Sequence, residues 1–160
     1  MIAAIPYSEY VGSSDPHLVL ASTPKHITQL VQNWDSKRWF MSYAPGSWNA
    51  AQIVLHLDHD EIGWSNRIRL TATLNGFVIQ AYDGADWVKL ESPVNPHIAL
   101  QAYVSLRNLN MNLYEKIDPK QRTRTISHPE CGDISIDWMI RMLAGHDLHH
   151  LKHLQMISEL

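Results

Sequence analysis

The chain is poor in thiols: Cys131 is the single cysteine among 160 residues. No internal disulfide can form, and such sparing use of cysteine fits a reducing cytoplasm. Long apolar runs are also lacking, because hydrophobic stretches are short and broken by polar groups, so no segment reads as a bilayer span. Met1 to Tyr10 has no basic leader followed by an apolar run, and no signal peptide is expected. Neither sign of charge dominates: 13 basic against 16 acidic residues leave a net charge of −3. That balance argues against nucleic acid or a charged membrane as the main partner. Alternating strand patterns are scarce, with Thr123 to Ile126 the one weak candidate, so a sheet-based fold is not expected. There is no internal repeat and no low-complexity segment.

What is abundant is histidine, with 10 in the chain, and His146, His149, His150 and His153 crowd one short stretch. A hydrophobic share of 45% is ordinary for a globular protein, and the length fits one domain over residues 1–160.

Helical signals dominate. Gly12 to Pro16 reads as a turn and His17 to Ala21 as a short helix. Ser22-Thr23-Pro24 then reads as the start of a helix carrying Ile27, Leu30, Val31 and Trp34 to about Lys37. Ser47 is a candidate N-cap for a second long helix from Trp48 to about Leu74, closed by Asn75-Gly76. Phe77 to Pro96 is too long for a tight turn and reads as a crossover. A third helix runs from Pro96 to about Ile117, and Lys120 to Gly132 reads as a loop. The fourth occupies about Ser135 to Ser158. The expected fold class is all-α, a four-helix bundle with long crossover connections.

At about 100° per residue, Met139, Leu143, His146, His150, Leu154 and Ile157 share one stripe of the last helix, the core-facing one. His146 and His150 therefore point inward from adjacent turns, the spacing that lets two imidazoles reach one ion. Burying both is costly unless something satisfies them, and a metal ion would. His56 is the candidate third ligand, on a helix face that also holds Ile53, Asp60, Gly63 and Arg67. Asp60, Glu61 and Asp147 are candidate acceptors for the outer ring nitrogens. Three neutral imidazoles with an open position suit a reactive site and not a closed structural one. Such donors suit zinc or nickel, with iron, manganese or copper as alternatives. Any single histidine is nevertheless more often a hydrogen-bonded residue than a ligand.

Three segments carry a family resemblance. Pro45-Gly46-Ser47-Trp48-Asn49, followed by His56-Leu57 and Glu61, resembles the early motif of the DinB-like superfamily, which includes the YfiT proteins. His128-Pro129-Glu130-Cys131-Gly132-Asp133 resembles the loop before that family's last helix, and Ala144 to Leu151 its closing HDxxH segment. The resemblance implies a four-helix bundle with crossovers, often homodimeric. It also implies a divalent ion on His56, His146 and His150. Some members resemble thiol S-transferases using bacillithiol or mycothiol, or mycothiol-dependent isomerases. Two departures stand out: His59 where the family often has Asp, and His153 where Gln is common.

Other residues are read more plainly. His149 sits at the edge of the core stripe as a surface or interface group. His128 belongs to a loop stiffened by Pro129, and His17, His26 and His97 face solvent. Arg67 would pair with Asp60 or bind a substrate carboxylate. Trp48, Trp64 and Trp138 are packing residues, while Trp87 either covers the site mouth or packs on the surface. Cys131 has no adjacent histidine partner and is no nucleophile.

Two functional classes remain. The first is a metal-dependent enzyme, a thiol S-transferase or hydrolase, acting on a small molecule with Asp60 or His153 handling protons. The second is a non-catalytic metal-binding protein of stress or storage, its site closed by His59 or His153. A third reading is a plain bundle whose histidines are merely hydrogen-bonded.

Overall fold

The computed structural model describes residues 4–160, so the reading of Met1 to Tyr10 lies partly outside the described residues. The elements are α1 (Ser8–Val11), α2 (Pro16–Val31), α3 (Ser36–Trp39), α4 (Ala50–Thr73), α5 (Gly84–Glu91), α6 (Pro96–Lys116), α7 (Pro119–Arg122), β1 (Thr125–His128), β2 (Gly132–Ser135) and α8 (Ile136–Ser158). The four long helices, α2, α4, α6 and α8, form a four-helix bundle with long connections, as expected. None of the described helices is long and apolar enough to cross a membrane.

Local chemistry sets the boundaries, and several differ from the sequence reading. α2 is one helix where two were expected. Asp15 accepts from the His17 amide at 2.8 Å and Pro16 takes the first turn, so the helix starts there and continues through Pro24. Pro24 has no N–H to give the Leu20 carbonyl four residues back. That carbonyl accepts instead from Arg107 Nη1 of α6 at 3.1 Å. A tertiary bond thus offsets a local penalty, and the separate helix at His17 to Ala21 does not exist. α2 stops at Val31 and not Lys37, because Asp35 caps the separate α3 by accepting from the Arg38 amide at 2.8 Å.

α4 starts later than Ser47 suggested. Asn49 accepts from the Gln52 amide at 2.9 Å and Gln52 Oε1 accepts in return from the Asn49 amide at 3.1 Å, a reciprocal cap. The Phe77 to Pro96 segment, read as a crossover, instead joins two helices that pack directly on each other, and its length is taken up by α5, capped by Asp83, whose carboxylate accepts from the Ala85 amide at 2.8 Å. The expected loop before α8 holds α7 and a hairpin. β1 and β2 pair antiparallel with Ile126 opposite Ile134, both buried. Ser135 then caps α8, accepting from the Trp138 amide at 3.0 Å.

α4 packs on α6 and α8, and α2 packs on the same two helices from the other side. Hence α2 and α4 lie across one diagonal and α6 and α8 across the other, which is why their connections are long. The apolar core divides into two clusters, one around Leu20, Ile68, Tyr114 and Leu143, the other around Ile27, Ile53, Tyr103 and Leu154. Between them runs a polar layer. Arg107, 1% exposed, donates to Glu61 on α4 at 2.6 and 2.8 Å, to Asp147 on α8 at 2.6 and 3.1 Å, and to Leu20 O on α2. Asn110 donates to Glu61 Oε2 at 2.9 Å and Tyr103 to Asp147 Oδ2 at 3.1 Å. One guanidinium therefore ties all four long helices together beside the histidines.

Candidate metal centre

α4 and α8 lie side by side, and each turns a histidine face toward the other. His56, His146 and His150 are 8%, 7% and 6% exposed. His146 Nε2 lies 3.2 Å from His56 Nε2 and 3.0 Å from His150 Nε2. The structure thus gathers the three sequence-selected imidazoles, with candidate donor atoms all within 4.8 Å of one another.

Protons alone serve this cluster poorly. Burial drives the His56 pKa down to about 4 and that of His150 well below the usual histidine range, with neighbouring His146 adding to both shifts. Both rings are neutral at pH 7. If His146 Nε2 carries a proton, it can point at one neighbour only; if it does not, it can accept from a neighbour's Nε2–H, and when all three rings carry their proton on Nδ1 three lone pairs converge. A cation at their meeting point would satisfy all three, so the donor set fits a divalent ion.

Asp60 supports the cluster from α4. Its Oδ2 lies 2.9 Å from His146 Nδ1 and 3.8 Å from His56 Nε2. The carboxylate is close enough to His146 for an N–H···O bond, although their alignment in the structure falls short of one. Burial opposes both charges, yet each partner favours the other's: Asp60 is held below the usual carboxylate range, chiefly by His146, and His146 is raised by Asp60. An N–H donated to Asp60 would leave His146 Nε2 as the lone-pair atom. Nδ1 of His56 and of His150 has no such partner among the described residues.

Three neighbours frame the rings. Trp48 lies 4.7 Å from His56 and 6.2 Å from His150, centroid to centroid. Tyr7 meets His146 edge-on at 5.2 Å. Gly84, the first residue of α5, comes so near that a Cβ there would stand 2.8 Å from His56 Cε1. A cavity of about 330 Å³ opens beside the cluster, with Trp64, Arg67, Tyr82, His128 and Trp138 in its wall.

The remaining candidates go elsewhere. Glu61 and Asp147, expected to accept from the ring nitrogens, are taken by Arg107. His59 points to Glu91 at 3.1 Å, and His153 stacks on Tyr43 with centroids 4.0 Å apart. His149 is bonded to the Tyr10 hydroxyl at 3.0 Å. His128 is buried, and its Nδ1 accepts from the amides of Glu130 and Cys131 at 3.2 and 3.3 Å. His17, read as solvent-facing, is half-buried against Arg122, 3.1 Å away. His97 is exposed and lies edge-on to Trp39, while His26 is exposed. Trp87 stacks on Tyr82 at 4.2 Å and meets His59 edge-on at 5.5 Å. Arg67 does not pair with Asp60; it donates to the Gln80 carbonyl at 2.7 Å. Burial raises the Cys131 pKa, keeping the thiol protonated.

Sequence reasoning missed Arg107, Tyr7, Tyr82 and Gly84. Arg107 had a faint signal, a cation on the periodic face of α6. Gly84 was read only as part of the Phe77 to Pro96 connection, and nothing local marks the two tyrosines.

The DinB superfamily model matches residues 20–154. A protein of Oceanobacillus iheyensis, named as a proposed metal-dependent hydrolase, is 30% identical over 132 residues, 82% of this chain and 77% of that protein. A Bacillus mycoides protein of like name is 24% identical over 157 residues, 94% of this chain and 91% of its own. Among solved structures, Bacillus subtilis YfiT, described as a proposed metal-dependent hydrolase with an unusual four-helix bundle topology, superposes with a TM-score of 0.84 at 23% identity. The superposition covers 90% of this chain and 84% of YfiT. A mycothiol-dependent maleylpyruvate isomerase gives 0.73 at 10% identity, over 87% of this chain and 59% of its own. With the motif order, bundle topology and matched span in agreement, this chain belongs to the DinB superfamily.

Proposed function

We propose that His56, His146 and His150 hold one divalent ion, zinc or nickel before iron, manganese or copper, and that the protein is a metal-dependent hydrolase acting on a small molecule. The observation that carries this reading is the meeting of three Nε2 atoms, two of them 3.0 and 3.2 Å from the third, in a buried setting that keeps His56 and His150 neutral. A divalent ion supplies Lewis acidity there and brings the pKa of a coordinated water or thiol toward neutrality. The names of the Oceanobacillus and Bacillus relatives favour water over thiol.

The chain's own residues divide the remaining work. Asp60, whose Oδ2 lies 2.9 Å from His146 Nδ1, would orient that ring by accepting its N–H and stands close enough to the cluster to take a proton from a bound nucleophile. His153 stands one turn beyond His150, ring centroids 5.5 Å apart, and would exchange protons with the centre through solvent. Trp48 and Tyr7 pack against the rings, and Tyr7 continues into the cavity wall. The two side chains considered as a fourth ligand, His59 and His153, are engaged with Glu91 and Tyr43, which favours an open position over storage. Homodimer formation, implied by the family resemblance, belongs to the same proposal and is checked by sedimentation equilibrium.

Elemental analysis of protein purified without a histidine tag tests the proposal. About one equivalent of divalent metal per chain is expected; a metal-free chain whose melting temperature ignores both EDTA and added zinc would refute it. A subtler expectation concerns Gly84. The Cβ of a Gly84→Ala variant would press on the His56 ring. The ring must turn, and metal affinity should fall about tenfold, as for other changes that misorient a ligand. A competition titration against a chelator measures this, and an unchanged affinity would show that α5 does not set the ring's position.

A further inference from the structure

The cavity beside the histidines contains a buried cation without an anionic partner. Arg67 is 7% exposed, and its one described hydrogen bond goes to a neutral acceptor, Gln80 O, at 2.7 Å. Among the described residues no carboxylate forms an ion pair with it. This contrasts with Arg107, only 1% exposed, which has two carboxylates. A guanidinium offers five N–H donors and keeps its charge. Its other N–H groups are not among the fully buried unpartnered atoms, so they reach the cavity, where water or, with a larger electrostatic gain, an anion completes them.

The guanidinium is also held in place. Its central carbon lies 4.4 Å from the Trp64 ring centroid and 4.8 Å from that of Tyr82, so two aromatic faces fix its position. Gly63 makes room for Tyr82, since a Cβ there would meet the Tyr82 ring. Arg67, Trp64 and Tyr82 line the same cavity as His56 and His146. Two carboxylates share that wall, Asp60 and Glu130. Asp60 faces His146, and Glu130 is exposed. Arg67 follows His56 by eleven positions on α4. That is about three turns, roughly 16 Å along the axis; both side chains lean toward the helix N-terminus, and the longer reach of arginine shortens the gap.

We propose that this cavity binds an organic anion, with a carboxylate seated on Arg67, an aromatic or apolar body against Trp64, Tyr82 and Trp138, and the reacting group several bonds away at the three histidines. The identity of the reacting end rests on the metal site proposed above; the anion seat does not. At about 330 Å³ the cavity admits a body of two fused rings with a short side arm.

The test compares 2-naphthylacetate with its neutral analogue 2-naphthylacetamide by isothermal titration, using the full chain as purified and after EDTA treatment. The acid should bind at least tenfold more tightly than the amide in both preparations. Arg67→Gln should erase that preference, and Arg67→Lys, which keeps the charge but not the fork, should retain part of it. Equal affinity of acid and amide for the unaltered protein would overturn the proposal, whatever the variants do. So would a preference that vanishes with EDTA yet survives in Arg67→Gln, because the carboxylate would then sit on the metal. If the protein proves metal-free and the preference for the acid persists, the metal reading fails while the anion seat stands.

Discussion

Replacing Arg107 with leucine is expected to cost about 3–5 kcal/mol of stability, the usual loss when one partner of a buried ion pair is removed. For a domain of this size that corresponds to a fall in melting temperature of roughly 6–20 °C. The physical reason is the company left behind. Glu61 and Asp147 are 0% and 1% exposed, and both face the guanidinium. Without it two carboxylates are buried without their cation, and the Leu20 carbonyl, already deprived of a helical donor by Pro24, loses Arg107 as well. Leucine restores apolar volume but none of these bonds. Neutralising all three positions at once, as Arg107→Met with Glu61→Gln and Asp147→Asn, should recover much of the loss, because no uncompensated charge then remains. Thermal unfolding followed by circular dichroism checks both variants. An Arg107→Leu protein that melts with the unaltered chain would show that the layer is not a charge-paired core. The effect should reach the histidines too, since Glu61 follows Asp60 and Asp147 follows His146 in sequence, and Arg107 holds both helices in register.

The second large effect is expected at His146. Its Nε2 is the atom that both other rings approach, and its Nδ1 faces Asp60. A His146→Ala chain keeps two imidazoles without the carboxylate-facing one between them. Metal content should drop from about one equivalent to near zero. In the unaltered protein, free metal at a hundred times its Kd should add about 2.7 kcal/mol of stability, worth roughly 5–10 °C. EDTA should remove that increment, and the variant's melting temperature should ignore both metal and EDTA. His26→Ala, which deletes an exposed imidazole far from the cluster in sequence, controls for nonspecific histidine binding. Full metal occupancy in His146→Ala would remove the proposed centre.

How much of this was legible in the sequence depended on whether the signal was local. The four long helices announced themselves through periodic apolar positions, and the ends of α6 and α8 came out within a residue or so because Asn95, Pro96, Ser135 and Asp118 act on their immediate neighbours. The inward face of His146 and His150 followed from the same period. Where the reading erred, a distant or competing group had intervened. Pro24 should end a helix by local rules, and it does not because a guanidinium from α6 takes the freed carbonyl. Glu61 and Asp147 looked like acceptors for the histidines, but a stronger claim came from Arg107.

The amino-acid order by itself determined the helical period, most of the caps and the presence of three inward imidazoles on two helices, because each depends on residues a few positions apart. Tertiary structure alone decided that α4 and α8 are neighbours, that Asp60 and not Asp147 faces His146, and that among the described residues no carboxylate pairs with Arg67 while two pair with Arg107. Those outcomes are set by which side chains first satisfy a buried charge, and that competition takes place only when helices far apart in the chain have been brought together.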